Sequence, residues 1–113
     1  MRVLKITPVD GYEVTDIPDR LETLQEAVGG LIKVVWLTPR MVMIINEEGK
    51  LKNLPDNDAA TVIYQYYYQY YNHNSCDVIV GNALIVGVAG DEFADLSDKQ
   101  VNILSELLNY TGF

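Results

Sequence analysis

A chain of 113 residues, 49% of them hydrophobic, is the length of one domain with one small core. Its formal charge of −8 repels a nucleic-acid backbone, whose binding is driven by counterion release from phosphates, so DNA and RNA are excluded as ordinary partners. Cys76 is the sole cysteine, which rules out an intramolecular disulfide and a thiolate zinc cluster within one chain; with no leader pattern and no bilayer-length apolar run, a cytoplasmic protein without a membrane partner is expected.

Taken in order, residues 2–7 alternate in β-rich fashion, with Val3 opposite to Leu4 and Ile6, and Pro8 ends them. Asp10-Gly11 is a turn pair, and residues 12–17 alternate again, so a hairpin is expected. Asp19 with Glu22 makes a capping-box pattern before Leu21, Leu24 and Val28 at helical spacing, and Gly29-Gly30 stops that helix. Residues 31–37 read as a strand buried on most of its surface, turned by Thr38-Pro39-Arg40 into an antiparallel return over residues 41–46. A loop follows, with Gly49 available for a positive φ, and the chain re-extends through residues 51–54.

Residues 59–72 hold six of the eight tyrosines. At about 100° per residue, Ala59, Ala60, Ile63, Tyr66, Tyr67, Tyr70 and Tyr71 share one face of a helix, and Asp58, Thr61, Gln65, Gln69 and Asn72 the other. Tyr64 flanks the apolar stripe, and Tyr68 lies further round. A strand would divide the same residues less cleanly. Residues 55–58 offer caps for this helix, and residues 72–75 break it.

Residues 77–80 and 83–89 are the most hydrophobic runs, and their lack of alternation places both as strands at the centre of the sheet. Gly90-Asp91-Glu92 turns outward. Ser97 with Gln100 forms a second capping box ahead of Val101, Leu104, Leu107 and Leu108 on a terminal helix. The expectation is an α+β fold: one compact domain over residues 1–113, with a mainly antiparallel sheet of about five to six strands and three helices.

Chemistry is sparse. His73 and Cys76 tempt a nucleophile-and-base reading, but groups so close in one loop align poorly on a single substrate, and helix termination accounts for the run better. No glycine-rich loop lies between a strand and a helix as a phosphate cradle requires. Asp91, Glu92 and Asp95, like Asp56 and Asp58, lack the calcium-loop pattern. No catalytic residue, metal or cofactor is therefore expected, and the chain reads as a binder and not an enzyme.

The aromatics are more specific. Tyrosine buries a large ring while keeping a hydroxyl for the wet edge, and one small domain can hardly cover the whole stripe. Tyr66, Tyr67, Tyr70 and Tyr71 are thus expected to form part of a homo-oligomer interface. For a ligand, Trp36, Tyr64 or Tyr68 would stack on a base while Arg40, Lys50 and Lys52 meet phosphates. Seven of the eight bases precede Pro55, whereas the acids divide evenly about it, so the first half can present positive groups while the second, with Lys99 alone, is nearly all acidic.

The runs Leu24-Gln25-Glu26-Ala27-Val28-Gly29-Gly30-Leu31-Ile32-Lys33-Val34-Val35, Asn46-Glu47-Glu48-Gly49-Lys50, Leu54-Pro55 and residues 77–86 resemble a family of small uncharacterised domains. That family recurs in bacteriophages and in mobile elements of Gram-positive bacteria. The likeness spans about residues 21–96, with the tyrosine run as an elaboration of this chain. It implies no reaction; it implies a genomic setting in which small acidic proteins counter host defence. One expectation is an oligomer that sequesters a nucleotide-derived immune signal, the aromatic rings gripping the base and basic side chains from Arg20 to Lys52 holding phosphates. Another is an acidic protein that inhibits a host defence protein, by imitating nucleic-acid charge. An enzyme degrading such a signal is the third.

Overall fold

Six strands form one antiparallel sheet in a computed structural model that describes residues 1–72 and 77–113, with side chains for 1–68 and 77–113. They are β1 (Arg2–Thr7), β2 (Gly11–Asp16), β3 (Ile32–Thr38), β4 (Met41–Asn46), β5 (Ala83–Ala89) and β6 (Glu92–Ala94). The helices among the described residues are α1 (Leu21–Val28), α2 (Asp58–Asn72) and α3 (Asp98–Tyr110). The fold is α+β, as the hydrophobic periodicities indicate. Strand order is β2-β1-β5-β4-β3, and β6 takes up the edge of β5 beyond the point where β1 leaves it.

Both faces of the sheet are covered, which is why its central strands are apolar without alternation. Leu4, Ile6, Met41, Met43, Ala83 and Ile85 point to one side, where Ile63 of α2 and Leu104 and Leu108 of α3 complete the larger core. Val3, Val42, Ile44, Leu84 and Val86 point to the other side, beneath Leu24 and Val28 of α1. Each such fully buried aliphatic side chain stabilises the fold by about 1.5–3 kcal/mol. Near the hairpin, Tyr12 Oη donates to Asn109 Oδ1 at 2.7 Å, tying β2 to the end of α3.

Helix ends are closed by named groups. Ser97 Oγ accepts from the Gln100 N–H at 3.1 Å and Gln100 Oε1 accepts from the Ser97 N–H at 2.9 Å, the reciprocal capping box expected from the sequence. Gly29, at φ 81°, takes the left-handed position that ends α1. The carbonyls that α1 leaves unpaired at this end receive side-chain amides: Asn46 Nδ2 donates to Val28 O and Asn82 Nδ2 to Ala27 O, both at 3.1 Å. Asn57 caps α2 through Oδ1, which accepts the Ala60 N–H at 3.1 Å.

Several local expectations are corrected. Asp19 caps nothing: α1 begins at Leu21 with Arg20 in the extended capping position, so Asp19 lies one residue too early. β3 is not buried on most of its surface; it is an edge strand, and Lys33, Val34 and Trp36 are exposed. Residues 51–54 do not re-extend but coil through turns, closed by Lys52 N–H to Glu48 O and Leu54 N–H to Gly49 O. The positive φ there belongs to Asn53, at 53°, and not to Gly49. Residues 77–80 form no strand among the described residues. Val80 makes a single bridge to Asp56, and Ile79 O accepts the Asn57 N–H, so this apolar run packs against the start of α2 instead of entering the sheet.

The outward turn expected at residues 90–92 instead leads into β6, a strand too short to show a period. Gly87 permits it: a Cβ there would stand 2.6 Å from the Asp95 carbonyl oxygen. The buried stripe of α2 is also rotated from the expected one. Thr61, placed outside by spacing, is buried at 9% exposure, while Tyr66, placed inside, is 51% exposed. Thr61 is drawn in because Oγ1 donates to Asn57 O at 2.8 Å and accepts the Ile79 N–H at 2.9 Å. The side chains of Tyr70 and Tyr71, and residues His73 and Cys76, lie outside the described set.

Candidate functional site

A cavity of about 220 Å³ opens where β3 and β4 meet α2 and the chain that returns from it. Pairing of Val35 with Met43 turns Val35 and Lys33 toward the α2 side of the sheet. Tyr64 reaches the cavity from α2, Lys50 from the loop after β4, and Asp77 and Ile79 from the return. Its floor is therefore aliphatic and its rim is aromatic and charged. Tyr68 backs Tyr64, with ring centroids 5.3 Å apart and planes inclined by 46°, one turn along the same helix.

Lys50 and Asp77 form an ion pair across the rim. The hydrogen bond from Lys50, the Val78 N–H at 3.0 Å and the Lys50 charge hold the Asp77 carboxyl below its ordinary value; Lys33 adds a smaller pull, and slight desolvation opposes them. Lys33 itself has no ion pair among the described residues. The cavity thus combines one cation engaged by a carboxylate with another that is not.

The six residues expected to grip a ligand do not converge. Lys50 and Tyr64 line the cavity, with Tyr68 behind. Trp36 pairs with Val42 and so projects from the opposite, α1 side of the sheet. Arg40 sits in the β3–β4 turn and lines a separate, more open groove of about 440 Å³ with Tyr67, Lys99 and Ile103. Lys52 turns toward the end of α1: its Nζ would be 3.0 Å from a Cβ at Gly30, beside Asn46. A cation there complements the negative end of the helix dipole, which is a structural role. Sequence reasoning missed Asp77 and did not single out Lys33 among the basic side chains from Arg20 to Lys52; the period of two along β3, which sets Lys33 and Val35 against Val34 and Trp36, was the available signal for it.

Of the four tyrosines expected at an oligomer interface, Tyr66 is exposed and Tyr67 is packed against the core, with rings 5.0 Å apart and nearly perpendicular. Among the described residues no cluster of three carboxylates, imidazoles or thiols is arranged to hold a metal ion, and no helix is long and apolar enough to cross a membrane.

The molecule is a small α+β domain whose cavity, aliphatic at the floor and charged at the rim, lies at a sheet edge. The chain belongs to the family described as Domain of unknown function (DUF3846), whose model matches residues 1–109. That match extends past both ends of the stretch at residues 21–96 that carried the resemblance. Neither the curated proteins nor the solved structures provide a match to this chain.

Proposed function

We propose that this protein is a non-enzymatic binder of a small anionic, aromatic ligand of the nucleotide class, and that the cavity beneath Tyr64 is where it binds. The observation that carries this reading is the meeting of Tyr64, Lys33 and the Lys50–Asp77 pair around an aliphatic floor, in a chain whose charge is otherwise strongly negative. A ring on Tyr64 would gain about 1–3 kcal/mol from stacking, and a phosphate at the rim would meet Lys33 directly and compete with Asp77 for Lys50. At about 220 Å³ the cavity is below the roughly 300–1,000 Å³ of most small-molecule pockets, so it suits one base or one sugar phosphate, with the rest of the ligand at the surface.

The biological setting is part of the same proposal: a protein of a phage or mobile element, acting in the host cytoplasm as a homo-oligomer that sequesters a nucleotide-derived immune signal. Inhibition of a host protein by acidic mimicry has less support, because Asp95 and Asp98, two of the acids in the second half, are engaged by the Arg2 N–H and guanidinium at 2.7 and 2.8 Å. Calorimetric titration with a panel of mononucleotides and nucleotide signals tests the reading. Saturable binding is expected, weakened roughly 10- to 100-fold by Tyr64→Ala and also by Lys33→Glu. An absence of binding and of thermal shift across the panel would overturn it.

A further inference from the structure

The two edges of the sheet are finished differently. β2 presents the exposed charges of Glu13 and Asp16, the kind of side chain that blunts an edge against pairing with another strand. β3 carries Lys33 as its only charge and leaves Val34 36% and Trp36 61% exposed. Among the described residues its backbone is also unpartnered on that side. The Glu47 N–H donates to Leu31 O at 2.8 Å, in register with the pairing of Ile32 and Asn46. Antiparallel alternation then aims the backbone groups of Lys33 and Val35 at β4, and those of Ile32, Val34 and Trp36 outward, where no described strand receives them.

We infer that this edge pairs with β3 of a second copy, antiparallel, about a two-fold axis at Val35, so that two sheets become one. The register follows from the residues. With Val35 opposite itself, the outward-directed groups of Val34 and Trp36 meet those of Trp36 and Val34 across the axis as hydrogen-bonded pairs, and their side chains share one face. Lys33 then lies opposite Leu37, so no like charges oppose each other within the paired strands. Charge favours the same edge: two copies of a chain at −8 repel, and they approach best where Lys33 stands and the acids of β2 do not. An isologous contact of this kind closes on itself and does not propagate into a fibre. Because Val35 also lines the cavity, the two cavities abut across the axis, but the pairing stands on the strand edge alone and does not depend on a ligand.

Sedimentation equilibrium of the full chain at micromolar concentration tests this. The expected species has about twice the 12.7 kDa chain mass, and its fraction rises with ionic strength as the mutual repulsion is screened. Val34→Pro removes an outward N–H while sparing the ladder to β4, as proline is tolerated on an edge. It should give a monomer with unchanged circular dichroism. Should that variant fail to fold, Trp36→Glu, at an exposed side chain, gives the same readout. Glu13→Lys on the opposite edge leaves the dimer intact. A monomeric wild type, or a dimer that survives Trp36→Glu, would sink the proposal.

Discussion

The first turn and a half of α2 and the turn that follows it are built on opposite principles. Asn57, fully buried, donates through Nδ2 to Ile6 O at 3.1 Å and Gly81 O at 2.8 Å while Oδ1 caps the helix, and Thr61 adds its bonds to Ile79. Every polar atom of these two side chains has a partner, so the helix start is locked in one position over β1 and β5. From Tyr64 to Tyr68 the ring contacts sit at a rim, where a ring can be half-buried and its hydroxyl remain near water. Among the described residues, polar anchoring is concentrated at the start of the helix, and half-buried or exposed rings follow it at Tyr64 to Tyr68.

Substitutions should divide along that line. Asn57→Ala removes the cap and the amide that donates to Ile6 O and Gly81 O, so a loss of about 2–4 kcal/mol is expected, read as a lower urea midpoint. Thr61→Val keeps the shape but orphans the Ile79 N–H. A smaller loss of about 1–3 kcal/mol should follow, with circular dichroism at neutral pH unchanged. Tyr66→Ser, on the exposed side of the rim, should change stability by no more than about 0.5 kcal/mol. A melting temperature that falls as far as for Thr61→Val would show that the rim is as structural as the helix start.

The pH response of Asp77 should be smaller still. Its carboxyl is depressed by Lys50 and the Val78 N–H, so its contribution is present above the ordinary carboxylate range and lost as pH falls through the lowered folded value. Wild type should therefore exceed Asp77→Asn slightly in stability at neutral pH and converge with it on acidification. Denaturant titrations across that range check this. A difference that grows toward acid would show that the rim carboxylate acts through another group.

Residues whose local chemistry sufficed were legible in advance. The Ser97 and Gln100 pair, the Gly29 stop and the alternation of Val3 with Leu4 and Ile6 each depend on neighbours within one turn or one strand. Thr61 was misplaced because helical spacing knows only the helix: its hydroxyl is drawn inward by Ile79, eighteen positions away. The apolar run at residues 31–37 looked like a strand buried on most of its surface because hydrophobicity reports contact with something, not with what. Of the candidate site, Tyr64 and Lys50 were legible from aromatic and basic content. Lys33 and Asp77 joined them only through the β3–β4 register and the return of the chain beside the loop.

The amino-acid sequence determined by itself that this protein is one small acidic α+β domain, with the end of α1, the capped start of α3, a β1–β2 hairpin and an apolar β5, because these follow from periodicity, capping and net charge. Tertiary structure decided which strand ends the sheet, which face of the tyrosine helix is inside, and which lysines share a cavity. Those outcomes depend on hydrogen bonds and packing between residues far apart in the chain, and no local pattern encodes them.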